Sequence, residues 1–362
     1  AEPANPNLDP VLAEPSTLAP GNDTLMAEAW APKVIGLEEV WADPSLAGSK
    51  RVVVAVVSSG IDYNHEDLRA NIMVNAAEAD AAATGTYYSE DGLDNDQNGF
   101  TDDWVGYDFV DKDGLPYDTN GSGTAAAGII GAVSDNGKGV RGVVSQVSLL
   151  PIRYIDANGR SNISLLAQAL DYAARSNVDV VFLHLAQLGY DSRYADWAKA
   201  IEKMERSLID RGMKVLEKRG TPVIISAGNY GTDVDLVGDV TKLLGTYGNT
   251  FFVTSVNEKD QRPFIANYGF ETVGTAAPGE SIMTTQPGGD QYGRVSGTFA
   301  AAAYVTGAVA LAVSRHHGSL TWKDMAKALL TDGGDPIASL QYETIGGNRL
   351  NVAKFLRSLA GS

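Results

Sequence analysis

The side chains with the clearest chemical potential form an acidic run in the first third of the chain. Residues 94–103 read DNDQNGFTDD and place Asp94, Asp96, Asn98 and Asp102 around a glycine. Alternating carboxylate and amide oxygens beside a tight turn are typical of loops that wrap calcium. Val105 stands where an EF-hand carries its last glutamate, so the pattern predicts a calcium loop of another kind. A solvated acidic hairpin is the alternative. We favour calcium because these carboxylates would repel one another without a cation.

Histidine is scarce and cysteine is absent, which limits the candidates for an imidazole base or a thiol nucleophile. The chain has four histidines, His65, His184, His316 and His317, and no cysteine. The lack of cysteine excludes disulfides, thiolate zinc sites and a cysteine nucleophile. His316 and His317 end a predicted helix, and we interpret them as solvent-facing partners of its C-terminal dipole.

The overall charge limits the classes of partner. The chain has 362 residues with 45 acidic and 28 basic side chains, which gives a net charge of −17. This excess argues against nucleic acid and anionic membranes as partners. No run approaches the roughly 20 apolar residues of a membrane span. The start carries no signal-peptide pattern, so we interpret the chain as a mature, processed product.

The elements that must position these side chains follow from hydrophobic patterning. Residues 1–21 are rich in proline and alanine and predict an arm or linker, followed by one domain over residues 22–362. Apolar runs typical of buried strands alternate with helical stretches, which predicts an α/β fold with a parallel sheet. The predicted strands are Val52–Val57, Val147–Tyr154, Val178–Leu185, Thr221–Ala227 and Phe251–Val256, and the predicted helices are Thr124–Val133, Ser164–Ser176, Tyr194–Arg219 and Ala300–His316.

Six ordered sequence blocks resemble the catalytic domain of the subtilisin-like serine proteases, or subtilases. The blocks are VVSSGID at 56–62 with HEDL at 65–68, NGSGTAAAG at 120–128, AGN at 227–229, IANYG at 265–269 with APG at 277–279, SGTFAAAAYVTG at 296–307 and GGNRLN at 346–351. The resemblance covers roughly residues 22–356. It implies a three-layer fold in which helices flank a mainly parallel central sheet, and it implies a structural role for His65.

The departures from the family pattern fall on the catalytic positions. Triad catalysis needs a hydroxyl nucleophile, an imidazole base and a carboxylate that orients the imidazole. The resemblance assigns these three positions to Phe299, Ser122 and Ser58 respectively. A phenyl ring cannot attack a carbonyl, and serine is no base near neutral pH. The oxyanion position, Asn229, is retained, and we interpret its role as structural.

The resemblance also bears on peptide binding and on an alternative catalyst. The edge strand that usually reads S-[LFW]-G is His184-Leu185-Ala186 here, and the extra Cβ of Ala186 obstructs close approach of a peptide. His184 is expected at the rim of the old active site, near Ser58 and Ser122. An improvised endopeptidase using one of these serines with His184 is therefore the alternative hypothesis.

Two further calcium sites follow from the resemblance alone, so we expect one to three Ca²⁺ ions in all. One would use Asp108, Asp111 and Asp113. The other would use the side chains of Asp23, Asp67 and Asn136 with the carbonyls of Ser134, Lys138 and Val140. Calcium that binds only the native state adds stability by mass action.

Together these features predict a catalytically inactive, calcium-stabilised subtilase homologue that acts as a structural or protein-interaction module. We expect a secreted, extracellular protein, because calcium is abundant there and N-glycosylation sequons occur at Asn22, Asn120 and Asn162. The expected partner is another protein, either an extracellular assembly or an active protease.

Overall fold

The computed structural model of the chain describes residues 22–78, 92–188, 198–237, 240–316 and 319–360. The predicted arm at residues 1–21 and His317 lie outside the described residues. The α-helices in chain order are α1 Ala31–Val34, α2 Leu37–Trp41, α3 Ser122–Gly131, α4 Ile163–Arg175, α5 Ala198–Arg219, α6 Val240–Leu244, α7 Thr298–His316, α8 Trp322–Leu330 and α9 Val352–Leu359. The strands are β1 Gly48–Ser58, β2 Tyr107–Asp108, β3 Gln146–Arg153, β4 Arg160–Ser161, β5 Val180–Leu183, β6 Gln187–Leu188, β7 Val223–Ser226, β8 Thr250–Val256, β9 Val273–Pro278, β10 Ile282–Gln286, β11 Gln291–Val295, β12 Gly334–Pro336 and β13 Asn348–Leu350.

A central sheet organises the molecule. Over the described residues it has nine strands in the order β12-β13-β9-β8-β7-β5-β1-β3-β2. Every pair is parallel except β12–β13. Two small sheets, the antiparallel β10–β11 pair and the parallel β4–β6 pair, lie outside it. The predicted α/β fold with a mainly parallel sheet is confirmed.

The central strands are apolar on both faces because each face carries a separate core. In β1, Val54 and Val56 pack into one hydrophobic cluster, whereas Ala55 and Val57 pack into the other. Side chains alternate across a strand, so a strand covered on both sides has no polar face. Helices α3 and α7 bury one face, and α4 and α5 bury the other. This accounts for the continuous apolar runs that predicted the strands.

Helix α7 is long and apolar enough to span a membrane by length and composition. Its apolar window is 89% buried inside the domain, and alanines from Ala300 to Ala303 pack in the core. The core helix of a large α/β domain satisfies the same criteria, so the pattern is explained by packing against the sheet.

Candidate functional site

The residues expected in the old catalytic centre all lie at the carboxyl edge of the sheet. Ser58 is the last residue of β1, His184 directly follows β5, and Asn229 comes shortly after β7. Ser122 begins α3, and Phe299 lies in the first turn of α7. In open α/β sheets this edge is where functional sites are built. The structure thus brings the predicted positions together.

The start of α3 is held against the end of β1 by a glycine contact. Gly123 has no room for a side chain, because a Cβ there would lie 1.9 Å from the carbonyl oxygen of Gly60. The amide of Gly123 also donates to the hydroxyl of Ser59 over 3.0 Å. This close approach fixes Ser122 beside the β1 end.

Three serine hydroxyls form a small polar network where a triad would stand. The Oγ atoms of Ser59 and Ser122 are 3.0 Å apart, and those of Ser58 and Ser122 are 3.5 Å apart. Ser122 Oγ donates to Asn120 Oδ1 over 2.9 Å. Ser58 Oγ lies 3.3 Å from His184 Nδ1. The hydroxyls therefore satisfy one another, and Ser58 is fully buried.

The phenyl ring of Phe299 covers the imidazole of His184. The two ring centroids are 5.2 Å apart with planes inclined at 34°, and Phe299 is only 8% exposed. Burial lowers the pKa of His184 to about 4, because the charged imidazolium loses its hydration. His184 is therefore neutral at physiological pH, and one side of its ring is packed against another ring.

Asn229, at the retained oxyanion position, makes a structural hydrogen bond. Its Oδ1 accepts from the backbone amide of Thr298 over 3.0 Å, and the Thr298 hydroxyl accepts from the amide of Gly228. These bonds tie the loop after β7 to the start of α7. The geometry agrees with the structural interpretation of Asn229.

The edge residues 184–186, where the resemblance implies peptide binding, have backbone groups bonded within the chain. The amide of Ala186 donates to the buried hydroxyl of Tyr154 over 3.1 Å, and that hydroxyl donates to the carbonyl of His184 over 2.5 Å. The amide of Leu185 donates to Ser226 Oγ. A peptide that paired with this edge would compete with these bonds.

The acidic loop at 94–103 folds around its own amides. The carboxylate of Asp94 accepts from the amides of Asn98 and Gly99 at 3.0 and 2.8 Å, and Asp96 Oδ1 accepts from the amide of Asn98 at 2.9 Å. Asp102 adopts a left-handed backbone conformation and has one buried oxygen, Oδ1, without a hydrogen-bond partner. The tight turn predicted for this loop is present.

Only one of the predicted loop ligands, Asp96, belongs to the carboxylate cluster that the structure forms. Its partners are Glu78 and Asp103, and the ligand oxygens lie within 4.8 Å of one another. Glu78 is 1% exposed, and its Oε2 has no hydrogen-bond partner. Asp94 and Asp102 lie outside this cluster.

The donor set of this cluster fits a hard cation. Burial raises the pKa of Asp103 to about 6, although Tyr172 and Asn98 donate to it at 2.6 and 2.9 Å. Buried carboxylates with an unpartnered oxygen are poorly compensated by the chain alone, and calcium prefers such oxygen ligands. Asp103 directly follows Asp102 and could have been found from the sequence. Glu78 lies far upstream and carried no local signal.

A positively charged side chain already lies at the second predicted calcium site, which consists of Asp108, Asp111 and Asp113. The guanidinium of Arg153 bonds both Asp108 and Asp111, and it also donates to Thr119 Oγ1 over 3.3 Å. Burial raises the pKa of Asp108 despite these bonds. Asp113 instead accepts from the amide of Leu115 over 3.0 Å. Any calcium here would have to share the carboxylates with a guanidinium.

The third predicted group forms a buried cluster near the N-terminal end of the described chain. Asp23 and Asp67 are 4% and 0% exposed. Asn136 Nδ2 donates to Asp67 Oδ1 over 2.7 Å, and the amide of Val140 donates to Asp67 Oδ2 over 3.0 Å. The amide of Asp135 donates to Asp23. Loop 134–140 thus contacts both carboxylates through Asp135, Asn136 and Val140, whereas the side chains of Ser134 and Lys138 bond Ser145 and Glu66.

Burial raises the pKa of Asp67 to about 7 and also raises the pKa of Asp23. Two carboxylates that resist ionisation in one pocket are the setting in which a divalent cation stabilises the charged form. The buried carboxylates of Asp23 and Asp67 therefore fit a divalent cation, whereas Asn136 presents its amide nitrogen, not its oxygen, to Asp67.

The remaining predicted residues have simpler surroundings. His65 accepts from the amide of Asp67 and bonds the Gln291 carbonyl, which supports a structural role. His316 ends α7 as predicted, but its ring is half-buried rather than facing solvent, and burial lowers its pKa. Of the sequon residues, Asn120 and Asn162 are exposed, whereas Asn22 is partly buried.

Comparison with known proteins identifies similar sequences. The family model for subtilases matches residues 49–344. A thermophilic serine proteinase from Bacillus sp. (strain AK1) is 29% identical over 273 residues, which cover 75% of this chain and 55% of the relative. Thermitase from Thermoactinomyces vulgaris is 25% identical over 296 residues, with 82% and 86% coverage. Subtilisin-like protease 1 from Plasmodium vivax is 28% identical over 327 residues, with 85% and 48% coverage. The chain thus spans about half the length of two of these relatives and most of thermitase.

Proposed function

We propose that this chain, which belongs to the subtilase family, is a catalytically inactive member. It would serve as a calcium-stabilised structural or protein-interaction module. The proposal separates the fold, which the chain shares with serine endopeptidases, from their chemistry. Function resides in the site rather than in the fold.

The contact between Phe299 and His184 carries this proposal. At the position expected for the nucleophile, the chain presents a hydrocarbon ring packed 5.2 Å from an imidazole. No proton or electron pair is available on that ring for acyl transfer. The partner positions are hydroxyls, Ser58 and Ser122, so neither base nor orienting carboxylate is supplied there.

A second candidate function is supported by the 3.3 Å distance between Ser58 Oγ and His184 Nδ1. A neutral imidazole beside a hydroxyl is the arrangement of an activated serine. Three observations weigh against an improvised endopeptidase. Ser58 is fully buried, so a peptide carbonyl cannot reach it. The pKa of His184, lowered to about 4, makes the ring a weak base. Phe299 covers the imidazole.

Covalent labelling with a fluorophosphonate probe discriminates between the two functions. We expect no mass increase after incubation of the folded protein with the probe, whereas an active serine protease in the same buffer is labelled. Labelling that maps to Ser58 or Ser122, and that disappears in Ser58→Ala or Ser122→Ala, would overturn the proposal in favour of the improvised enzyme.

The calcium part of the proposal assigns two clusters. One consists of Glu78, Asp96 and Asp103, and the other of Asp23 and Asp67 with loop 134–140. Glu78 and Asp103 in the first cluster and both aspartates of the second are buried, Asp96 is exposed, and Glu78 has an unpartnered oxygen. Bound calcium would supply positive charge and oxygen coordination there. The group at Asp108 is the weakest of the three sites, because Arg153 already pairs with it.

Secretion and a protein partner complete the proposal. Two of the three sequon asparagines, Asn120 and Asn162, are exposed, and stabilisation by calcium suits a compartment where calcium is abundant. A stable domain without catalysis is useful when it binds another protein, either an extracellular assembly or an active protease. Peptide mapping of the secreted protein after glycosidase treatment tests the sequons directly.

A further inference from the structure

A surface groove begins beside the old nucleophile loop and runs away from it. It consists of two connected cavities of about 250 and 700 Å³, both lined by Asn257, Glu280 and Ser296. The smaller cavity reaches Gly297, whose amide donates to the Gly279 carbonyl over 2.7 Å. A backbone floor held by hydrogen bonds is preformed for a ligand.

One end of the groove is apolar and exposed. Phe264 is 89% exposed and Ile265 is 52% exposed, and both line the smaller cavity. Tyr230, which is 61% exposed, stands on the neighbouring loop, where the amide of Gly231 donates to the Ile265 carbonyl over 2.7 Å. Single exposed apolar residues are ordinary, but large ones that share a cavity wall mark an interaction surface.

The other end of the groove carries an excess of negative charge. Glu28, Glu258 and Glu280 line the larger cavity with Lys259 and Arg294. Arg294 pairs with Glu28 over 3.3 Å. Within the described residues the carboxylates of Glu258 and Glu280 have no ion-pair partner. The net charge of −17 reinforces this local field.

We propose that this groove, lined by Phe264 and Ile265 in the smaller cavity, by Glu258 in the larger one and by Glu280 where the two meet, binds an extended segment of a partner protein that carries large apolar side chains followed by lysine or arginine. The apolar residues fill the smaller cavity, and the cations meet the unpaired carboxylates. The proposal rests on the proposed function, because it names the partner chemistry of an interaction module. A second copy of this chain is a poor occupant, since two bodies of charge −17 repel each other.

The test uses a fluorescein-labelled decapeptide of glycine and serine with a central Leu-Leu-Lys-Lys, titrated with the full chain in calcium and followed by fluorescence anisotropy. Two variants of the protein probe the two ends, Phe264→Ser and the double variant E258Q/E280Q. Their matched controls are Leu236→Ser, an 83% exposed residue that does not line the groove, and Glu38→Gln on α2.

We expect saturable binding that weakens at high salt, and about tenfold weaker binding for each groove variant. The two control variants should bind as the parent protein does. Absence of saturable binding, equal binding of a peptide with glutamates in place of the lysines, or salt-independent binding would overturn the groove proposal. So would self-association in sedimentation that Phe264→Ser abolishes. Cleavage of the peptide, read by mass spectrometry, would instead overturn the proposed function.

Discussion

Phe299 combines two effects in one residue. In the proposed function it stands in place of the hydroxyl that acyl transfer requires, and its ring packs against His184 and belongs to the core cluster that contains α7. A position freed from catalysis can be used for packing, because active-site polarity and strain normally cost stability. The ring should therefore stabilise the fold.

Replacing Phe299 by alanine should destabilise the protein by about 2–4 kcal/mol, since the substitution removes a nearly buried ring and leaves a cavity beside His184. Denaturant unfolding in calcium measures this change. Phe264→Ala is the matched control, because Phe264 is 89% exposed and its loss should cost under about 0.5 kcal/mol. Equal midpoints for Phe299→Ala and the parent protein would contradict the packing role.

Asp67 should make the stability of the calcium-free protein fall as pH rises. Its pKa is raised to about 7 in the folded state by burial, whereas an exposed aspartate titrates near 4. Between these values the folded state holds a proton that the unfolded state has released, so stability is lost as pH increases toward about 7.

In EGTA we expect a higher melting temperature near pH 5.5 than near pH 7.5, and Asp67→Asn should reduce that difference. Calcium should reverse the trend, because it binds the ionised carboxylate. A calcium-free melting temperature that is the same at both pH values, in the parent protein and in Asp67→Asn, would contradict the assigned burial effect.

At the scale of elements, the sequence predicts much of the fold because both faces of the sheet are covered. The predicted strand Val52–Val57 lies within β1, and the predicted helix Ala300–His316 lies within α7. Apolar runs and flanking helices are encoded locally, so periodicity is sufficient to find them. The small β4–β6 and β10–β11 pairs have no comparable signal and appear only in three dimensions.

A candidate calcium site can be predicted from the sequence only where one short segment supplies all of its ligands. The spacing of its acidic residues is enough to predict the acidic loop. The carboxylate cluster in the structure, however, includes Glu78, which is distant from that loop in the sequence. Arg153 beside Asp108 joins two strands, β3 and β2. Such pairings depend on which strands are neighbours in the sheet. Composition and residue spacing do not predict the order of the strands.

The close contact between the end of β1 and the start of α3 depends on Gly123 having no side chain. Gly123→Ala should destabilise the fold by about 3 kcal/mol or more, because its Cβ would lie 1.9 Å from the Gly60 carbonyl oxygen and the backbone would have to shift. Gly245→Ala is the control, since its Cβ would meet the nearest atom at an ordinary 3.4 Å. Thermal unfolding of both variants measures the contrast. A Gly123→Ala variant as stable as Gly245→Ala would refute the close-packing explanation for the position of Ser122.

At the scale of the whole molecule, buried and exposed carboxylates have different effects. Buried carboxylates such as Glu78, Asp67 and Asp23 oppose folding unless a cation compensates them. Exposed carboxylates such as Glu258 instead make the surface negative, a charge that would attract the cationic partner proposed for the groove. The same composition can therefore serve stability and recognition, and calcium should affect mainly the first.

Removing calcium should lower the melting temperature of the full chain by several degrees. A ligand that binds only the folded state adds about 2.7 kcal/mol per site at a hundred times its Kd, and in a domain of this size each kcal/mol corresponds to roughly 2–4 °C. Scanning calorimetry in calcium, in EGTA, and in EGTA followed by excess calcium measures the effect and its reversibility. Magnesium should restore less of the lost melting temperature, because it requires a tighter octahedral shell than calcium does.

Glu78→Gln should reduce the calcium-dependent part of the shift in melting temperature, whereas Glu38→Gln on the surface of α2 should leave it unchanged. A midpoint that is the same in calcium and in EGTA would refute structural calcium. A shift that Glu78→Gln does not alter would move the ion away from the Glu78 cluster and leave the Asp67 cluster as its site.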